Sequence, residues 1–298
     1  MKSPKAGWVF ALSATFLFSV APPIARALIV GGLNPTAVLV VRMWITAALL
    51  TLTIALTNRR LLWIDRRCFA IGSAAGVINS AGMIGYFWAL TRIDASIAAM
   101  LFSASPLFVL TMLALRGEPI TRRHLVRIAL AGAGIYLLIG PGGAVDLLGA
   151  LLVGVSVLSF GAQVVIIQWH LRGYDARTVT LYMIGAMAAV LTVFWLVEGM
   201  PWRTPTPAEW AGILAIAVVS TYLARLAFFA GVARIGGGQA AMLTPVEIFL
   251  TVLWSILFLG ERLTPVQWLG GLLVLASAAL AVERLPLRRR LFTASRPR

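Results

Sequence analysis

Ten stretches of about twenty mostly apolar residues follow one another along this chain, separated only by short links. A helix needs about 20 apolar residues to cross the hydrocarbon layer of a bilayer. The backbone must also satisfy its own hydrogen bonds there, because no water is present. The pattern therefore predicts an all-α integral membrane protein with ten transmembrane helices. The predicted segments are 6–30, 34–57, 68–90, 95–115, 124–140, 147–170, 178–198, 209–232, 238–259 and 265–283.

The composition supports contact with lipid and excludes several partners. The chain is 60% hydrophobic and only 12% charged, whereas soluble domains carry about 25% charged residues. The net charge of +15 comes from cations in the short links, so nucleic-acid binding is not expected. The single cysteine, Cys68, excludes an intrachain disulfide. We expect a small-molecule substrate, the lipid bilayer as the surroundings, no cofactor and no metal, and a monomer, with a dimer left open.

The cations are distributed unequally between alternate links. Nineteen Lys and Arg side chains fall on one side of a ten-helix arrangement and only three, Arg92, Arg203 and Arg262, on the other. Cytoplasmic loops carry the excess of positive charge. The sequence thus predicts a multi-pass protein of the bacterial inner membrane with both termini in the cytoplasm, and a basic cytoplasmic tail at 284–298.

Two stretches nearly repeat each other. Residues 92–101 read RIDASIAAML and residues 234–243 read RIGGGQAAML, with six of ten positions identical. The first opens the fourth predicted helix and the second opens the ninth, so the repeat unit is five helices. A unit with an odd number of spans enters the membrane from opposite sides in its two copies. We therefore expect one membrane domain, 1–298, built from two inverted repeats, 6–140 and 147–283, around a central cavity that alternates its access.

The motifs that end the fourth and ninth segments resemble those of a known family. LRGEPIT and FLGERLT contain the pairs Gly117–Glu118 and Gly260–Glu261. With the five-plus-five organisation, they are similar to the drug/metabolite transporter superfamily, and within it to EamA-type exporters, including bacterial exporters of amino acids and aromatic amino acids. The resemblance implies export of small metabolites through a central cavity lined by both halves, with the fifth and tenth helices set apart from it.

Polar groups at membrane depth are candidates for function because their desolvation is costly. Two stripes stand out, one around Asn79 in the third segment and one around Gln163 in the sixth. They would suit a cavity that hydrogen-bonds a polar substrate, or they could be helix-packing faces. The predicted cavity residues are Asn79, Ser80, Tyr86, Ser103, Ser156, Ser159, Gln163, Tyr182, Tyr222 and Trp254.

Charged residues inside the predicted helices form a second group of candidates. Glu247 and Arg225 lie at equal distances from the turn near Gly236, so we expect a buried ion pair between them; contact with substrate and proton coupling are the alternatives for Glu247. Arg42 lies about 12 Å below the end of its helix, and a gate contact, a substrate carboxylate contact and snorkelling stay open for it. Arg26 follows a proline pair that must kink or interrupt the first helix, and outward snorkelling is the simple interpretation for it.

Motifs of other function classes are missing from the sequence. There is no HExxH or GxSxG arrangement, and no phosphate-binding loop, so catalysis and ATP-driven transport are not expected. The sequence predicts a secondary transporter that moves small metabolites out of the cell by alternating access, most plausibly amino acids, including aromatic and large neutral ones. The alternatives are an exporter of drugs or other amphipathic compounds and, from a different class, a membrane enzyme or lipid-handling protein. The sequence leaves open whether protons drive transport.

Overall fold

The computed structural model describes residues 4–105, 108, 122–139, 145–171, 174–200, 202–235 and 243–282, and within these ranges the chain is helical, without strands. Six helical stretches are long and apolar enough to cross a membrane, and three shorter apolar helices accompany them in the described residues. Nine of the ten predicted segments coincide with these helices. The fourth segment, 95–115, is helical over Ala95–Phe102. Most of its remaining residues lie outside the described ranges.

The helices are named here in chain order. They are α1 (Pro4–Ser19), α2 (Ala21–Val30), α3 (Pro35–Thr57), α4 (Arg66–Ala89), α5 (Ala95–Phe102), α6 (Arg122–Ile139), α7 (Leu147–His170), α8 (Ala176–Glu198), α9 (Pro207–Leu214), α10 (Ala224–Ile235), α11 (Thr244–Leu259) and α12 (Pro265–Val282). A short 3₁₀ turn, Arg59–Leu62, follows α3. A π-helical segment, Ala215–Leu223, connects α9 directly to α10, so the three form one continuous helix.

The first predicted span is interrupted as its proline pair required. The break falls between α1 and α2, and Pro22 and Pro23 then occupy the first turn of α2. Proline has no N–H to donate, and the first turn of a helix is where that loss costs least. The π-helical segment was not anticipated, because nothing in its sequence departs from an ordinary apolar helix.

Side chains from the links fix several helix starts. The Asn34 side chain accepts from the backbone N–H of Ala37 at 2.9 Å, and Asp146 accepts from Gly149 at 2.7 Å. Such bonds satisfy amides that the helix leaves unpaired. The Gly149 N–H, and more weakly Arg92, hold the pKa of Asp146 below its usual range.

The bundle has two recognisable ends. At the end we call the Asn34 end, Asn34 donates to Glu198 at 2.7 Å and Trp88 donates to Thr36 at 3.1 Å. At the opposite end, the Asp65 end, Tyr174 donates to Asp65 at 2.8 Å. Successive links therefore alternate between the two ends, as expected for a protein that crosses a membrane repeatedly.

Close approach of glycines to neighbouring backbones holds α4, α7 and α8 together. A Cβ added at Gly82 of α4 would lie 2.8 Å from the Ser159 Cβ of α7, and one at Gly85 would lie 2.7 Å from the Leu152 carbonyl oxygen. Gly76, on another face of α4, meets the backbone of Met183 in α8. Small residues that let backbones approach are the usual basis of helix association in membranes. The other main pairs are α1 with α10, α3 with α8, α5 with α11, and α6 with α12.

Candidate substrate site

Arg42 of α3 lies inside the bundle against the π-helical segment. Its Nε donates a hydrogen bond of 2.8 Å to the Thr221 hydroxyl, and only 7% of the residue is exposed. Thr221 in turn donates to the Ile216 carbonyl at 2.8 Å, five residues earlier. The wider π turn thus leaves a hydroxyl oxygen free to accept from the arginine, and π turns of this kind occur often at functional sites.

Two further contacts hold Arg42 and the next turn of α3 in place. Its central carbon lies 5.6 Å from the centroid of the buried Phe87 ring of α4, within the range of a cation–π interaction. One turn further along α3, Thr46 donates to the Ala217 carbonyl of the π-helical segment at 3.2 Å. These contacts exclude snorkelling for Arg42: its charge is retained inside the bundle.

Arg225, one turn beyond Thr221, lies close enough to Arg42 for the two like charges to repel each other. Its side chain is half-buried. Its Nε has no hydrogen-bond partner among the described residues. We call Arg42 and Arg225 the arginine pair.

The expected ion pair between Arg225 and Glu247 is not formed in this conformation. The ion pairs found among the described residues involve neither side chain. Glu247 instead lies in the first turn of α11, close enough to Tyr86 of α4 to act on it electrostatically. Equal distance from a turn predicts equal depth but not which way a side chain points, because each residue turns the helix by about 100°.

The two predicted amides both reach methionine sulfurs of α8. Gln163 Nε2 lies 3.0 Å from Met183 Sδ, and Asn79 Nδ2 lies 3.5 Å from Met187 Sδ. A thioether is a weak acceptor, and the Gln163 Oε1 has no partner among the described residues although it is buried. These amides therefore sit where α4, α7 and α8 meet, and Gln163 keeps an unused acceptor there.

The predicted serines of the first-half helices bond to their own helices. Ser80 donates to the Gly76 carbonyl at 2.9 Å, and Ser103 donates to the Met100 carbonyl at 2.6 Å. Ser156 is buried, and Ser159 lies at the crossing with α4. These contacts are those expected of packing residues, the alternative that the sequence left open.

The predicted aromatic residues separate into different surroundings. Tyr86 contacts the Phe102 ring edge-on at 5.7 Å. The Tyr222 hydroxyl forms a hydrogen bond with Thr53 of α3. Tyr182 donates to the Leu62 carbonyl at the Asp65 end. Trp254 donates to Ser19 at 3.0 Å and lines an apolar pocket of about 190 Å³ between α2 and α11. Of these four residues, Tyr86 is the one on which Glu247 acts electrostatically.

A second charged cluster, partly buried, lies at the Asn34 end, and the sequence did not predict it. The Arg26 guanidinium donates to the Leu90 carbonyl at 2.6 Å and to Asp94 at 2.7 Å, and its Nε lies 3.4 Å from Glu261. Arg26 does not snorkel outward to water, because these acceptors bind its guanidinium; that interpretation of the sequence was wrong. We call Arg26, Asp94, Ser96 and Glu261 the Glu261 cluster.

Gly260 and Glu261 are the residues of the family motif that lie in the described part of the chain. Glu261 follows Gly260, whose φ of 66° ends α11, and its carboxylate accepts from the backbone N–H groups of Ala95 (2.8 Å) and Ser96 (3.0 Å). Asp94 holds the N-cap position of α5 but makes no capping bond, because its side chain contacts Arg26. Gly117 and Glu118, the corresponding residues of the first motif copy, lie outside the described residues.

One cleft lies away from these groups. It has a volume of about 420 Å³ and is open at the Asn34 end, between the 29–38 segment and the link after α8. None of the predicted cavity residues lines it. It is a surface groove between links.

Comparison with known proteins places these features in a family. The sequence pattern of the EamA-like transporter family matches residues 5–140 and matches again at 147–282. The chain belongs to this family. It is therefore a multi-pass membrane protein of a transporter family, and the two matches correspond to the two predicted repeats.

Individual relatives agree with this assignment. The pseudopaline exporter CntI of Pseudomonas aeruginosa is 26% identical over 284 residues, which cover 94% of this chain and 96% of the exporter. An uncharacterized transporter of Archaeoglobus fulgidus is 25% identical over 206 residues, covering 69% of this chain and 73% of that protein. A crystal structure of a protein 17% identical in sequence superimposes with a TM-score of 0.67 over 94% of this chain and 97% of the other, which shows a shared fold.

Proposed function

We propose that this chain exports small polar metabolites by alternating access across the bacterial inner membrane, with amino acids, including large neutral and aromatic ones, as the first substrate class. The observation that carries the proposal is the double family match, at 5–140 and 147–282. A relative named as an exporter aligns over 94% of the chain. The polar residues between helices of the two matched halves supply groups that a small metabolite could bind.

We infer further that the chain has ten spans in two inverted halves. The pattern of helix packing supports this. A two-fold axis that exchanges the halves exchanges the first segment with the sixth and the third with the eighth. The axis should therefore relate the contact between the third and sixth segments, α4 and α7, to a contact between the eighth and first segments, α10 and α1. Both pairs of helices are in contact. The second, fourth and fifth segments should each pack on their own counterparts, as α3–α8, α5–α11 and α6–α12 do.

The Glu261 cluster suits a gate in such a cycle. It joins α2, the start of α5 and the link after α11, so elements from both matched halves are bound together at the Asn34 end. The bonds would have to break for that end to open. The excess of cations on the other side of the helices assigns the Asn34 end to the outside of the cell, with both termini in the cytoplasm.

Counterflow in proteoliposomes tests the proposal without assuming a driving force. Vesicles that contain purified protein and one unlabelled amino acid would be offered the labelled form, with phenylalanine, leucine, threonine and glutamate tested in turn. We expect transient accumulation that protein-free vesicles do not show, and the ranking of the four would describe the pocket. Accumulation of none of them would contradict the amino-acid assignment.

One observation favours a second candidate, export of amphipathic compounds. The pocket beside Trp254 is almost entirely apolar and is formed by side chains such as Val20, Ile24 and Phe258. A promiscuous exporter needs apolar surface of this kind. In the same vesicles, a hydrophobic cation that accumulates while all four amino acids fail to do so would support this candidate instead.

A further inference from the structure

The arginine pair joins the two matched halves of the chain. Arg42 belongs to α3 in the first half, and Arg225 belongs to α10 in the second. Thr221, which accepts from Arg42, also belongs to the second half. A substrate site in an alternating-access transporter must contact both halves so that binding is linked to their relative movement. The position of the pair satisfies this requirement.

The pair carries two positive charges with no carboxylate partner among the described residues. The ion pairs of the described chain all use other arginines, namely Arg26, Arg92, Arg177 and Arg203. Charges inside a membrane protein normally pair with each other or mark a ligand path. Two neighbouring cations are doubly unfavourable there, because each also repels the other. An anion bound between the two guanidinium groups would offset both costs.

Hydrogen-bond donors of the pair remain available to such an anion. The Arg225 Nε has no hydrogen-bond partner among the described residues, and the side-chain hydrogen bond that Arg42 donates uses its Nε and not its terminal nitrogens. The contacts of Arg42 with Thr221 and Phe87 leave its terminal nitrogens oriented and unoccupied. A planar guanidinium with free N–H groups matches the geometry of carboxylate and phosphate oxygens.

We propose that the arginine pair binds an anionic oxygen group of the transported molecule, a carboxylate in the first place. The inference rests on the proposed function and narrows it: substrates must carry such a group, and neutral analogues of the same shape should be rejected. Phosphate or phosphonate groups share the same chemistry, so the tests below separate them from carboxylates.

Competition measures the requirement for charge directly. Counterflow of labelled leucine or phenylalanine would be challenged with the unlabelled acid, its carboxamide, its phosphonate analogue and inorganic phosphate. We expect the acid to compete at least tenfold better than the amide, because the amide leaves the arginines uncompensated. Better competition by the phosphonate would assign the site to phosphorus oxyanions. Equal competition by acid and amide would overturn the proposal.

Substitutions connect the preference to the residues. In Arg225→Gln and Arg42→Gln we expect the preference for acid over amide to fall about tenfold or more. In Arg225→Lys and Arg42→Lys, which keep the charge but not the planar fork, the fall should be smaller. Arg177→Gln is the control, since Arg177 is paired with Asp175 at the Asp65 end. Loss of acid and amide recognition to the same degree would indicate a structural role and contradict the proposal.

Thermal unfolding of the purified protein separates failure of this inference from failure of the proposed function. If no amino acid is transported, carboxylates, phosphates, phosphonates and their neutral isosteres would be compared as stabilising ligands. Stabilisation by anions alone, lost in Arg225→Gln, would keep the anion site while the amino-acid assignment fails. Stabilisation by no anion in the set, or equally by neutral isosteres, would overturn the anion site.

Discussion

Glu261 caps the helix that begins at Ala95: its carboxylate accepts the Ala95 backbone N–H at 2.8 Å. The same carboxylate accepts from the neighbouring Ser96 amide and hydroxyl and lies within ion-pair distance of Arg26. One side chain from the end of α11 therefore fixes the start of α5 and the position of α2. The Gly-Glu motif, which the sequence offered only as a family signature, thus acquires a physical role.

We expect Glu261→Gln to weaken closure of the Asn34 end. The amide keeps the shape but loses the charge that two backbone amides and Arg26 compensate. Removal of one partner of a buried pair costs about 3–5 kcal/mol, and we expect the lower part of that range because Arg26 keeps Asp94. The unfolding temperature of the variant and its rate of counterflow should both be lower than those of the wild-type protein.

Glu209→Gln is the matched control, since Glu209 also caps a helix but does so in the first turn of α9, outside the Glu261 cluster. An unfolding temperature of Glu261→Gln no lower than that of this control would contradict the role assigned to Glu261.

Gly134 should tolerate no side chain, whereas Gly132 on the same helix should tolerate one. A Cβ at Gly134 would lie 2.6 Å from the Gly270 carbonyl oxygen of α12, and nothing lies within 4 Å of one at Gly132. We expect Gly134→Ala to lower the free energy of unfolding by about 1–3 kcal/mol through overpacking. Gly132→Ala should raise it by up to about 1 kcal/mol through better helix propensity. Chemical or thermal unfolding in detergent measures both, and equal effects would mean that α6 and α12 are not packed at this crossing.

Gln163→Leu should separate stability from transport. Its Oε1 is buried without a partner among the described residues, and an unsatisfied buried acceptor costs about 1–3 kcal/mol. The substitution removes that cost, so the unfolding temperature should rise. If the free acceptor serves the substrate, counterflow should fall in the same variant, as the sequence predicts for both Gln163 and Asn79. A more stable variant with unchanged transport would assign Gln163 to packing alone.

Arg225 and Glu247 should behave as independent residues in this conformation. A double-mutant cycle with Arg225→Gln and Glu247→Gln should give an interaction energy below about 0.5 kcal/mol, the value typical of residues without a shared contact. Unfolding of the two single variants and the double variant measures it. A coupling well above that value would show that the pair predicted from the sequence forms in the state that dominates in detergent.

The apolar segments alone determined most of the helices. Nine predicted segments coincide with described helices because the length and hydropathy of a span are set by the bilayer and need no tertiary information. The break before Pro22 and Pro23 was predictable for a similar reason, since a missing N–H is a property of the residue itself.

Only the tertiary structure decided which polar side chains meet. The sequence placed Arg225 and Glu247 at one depth, yet Arg225 lies one turn beyond the Thr221 that binds Arg42, and Glu247 acts electrostatically on Tyr86. It placed Arg26 near a helix end, yet a carbonyl and carboxylates from two different links bind that side chain. Hydropathy fixes depth along the membrane normal, whereas contact depends on the rotation of each helix and on which helix is its neighbour. Those are set by packing over residues distant in sequence, such as Gly82 against Ser159.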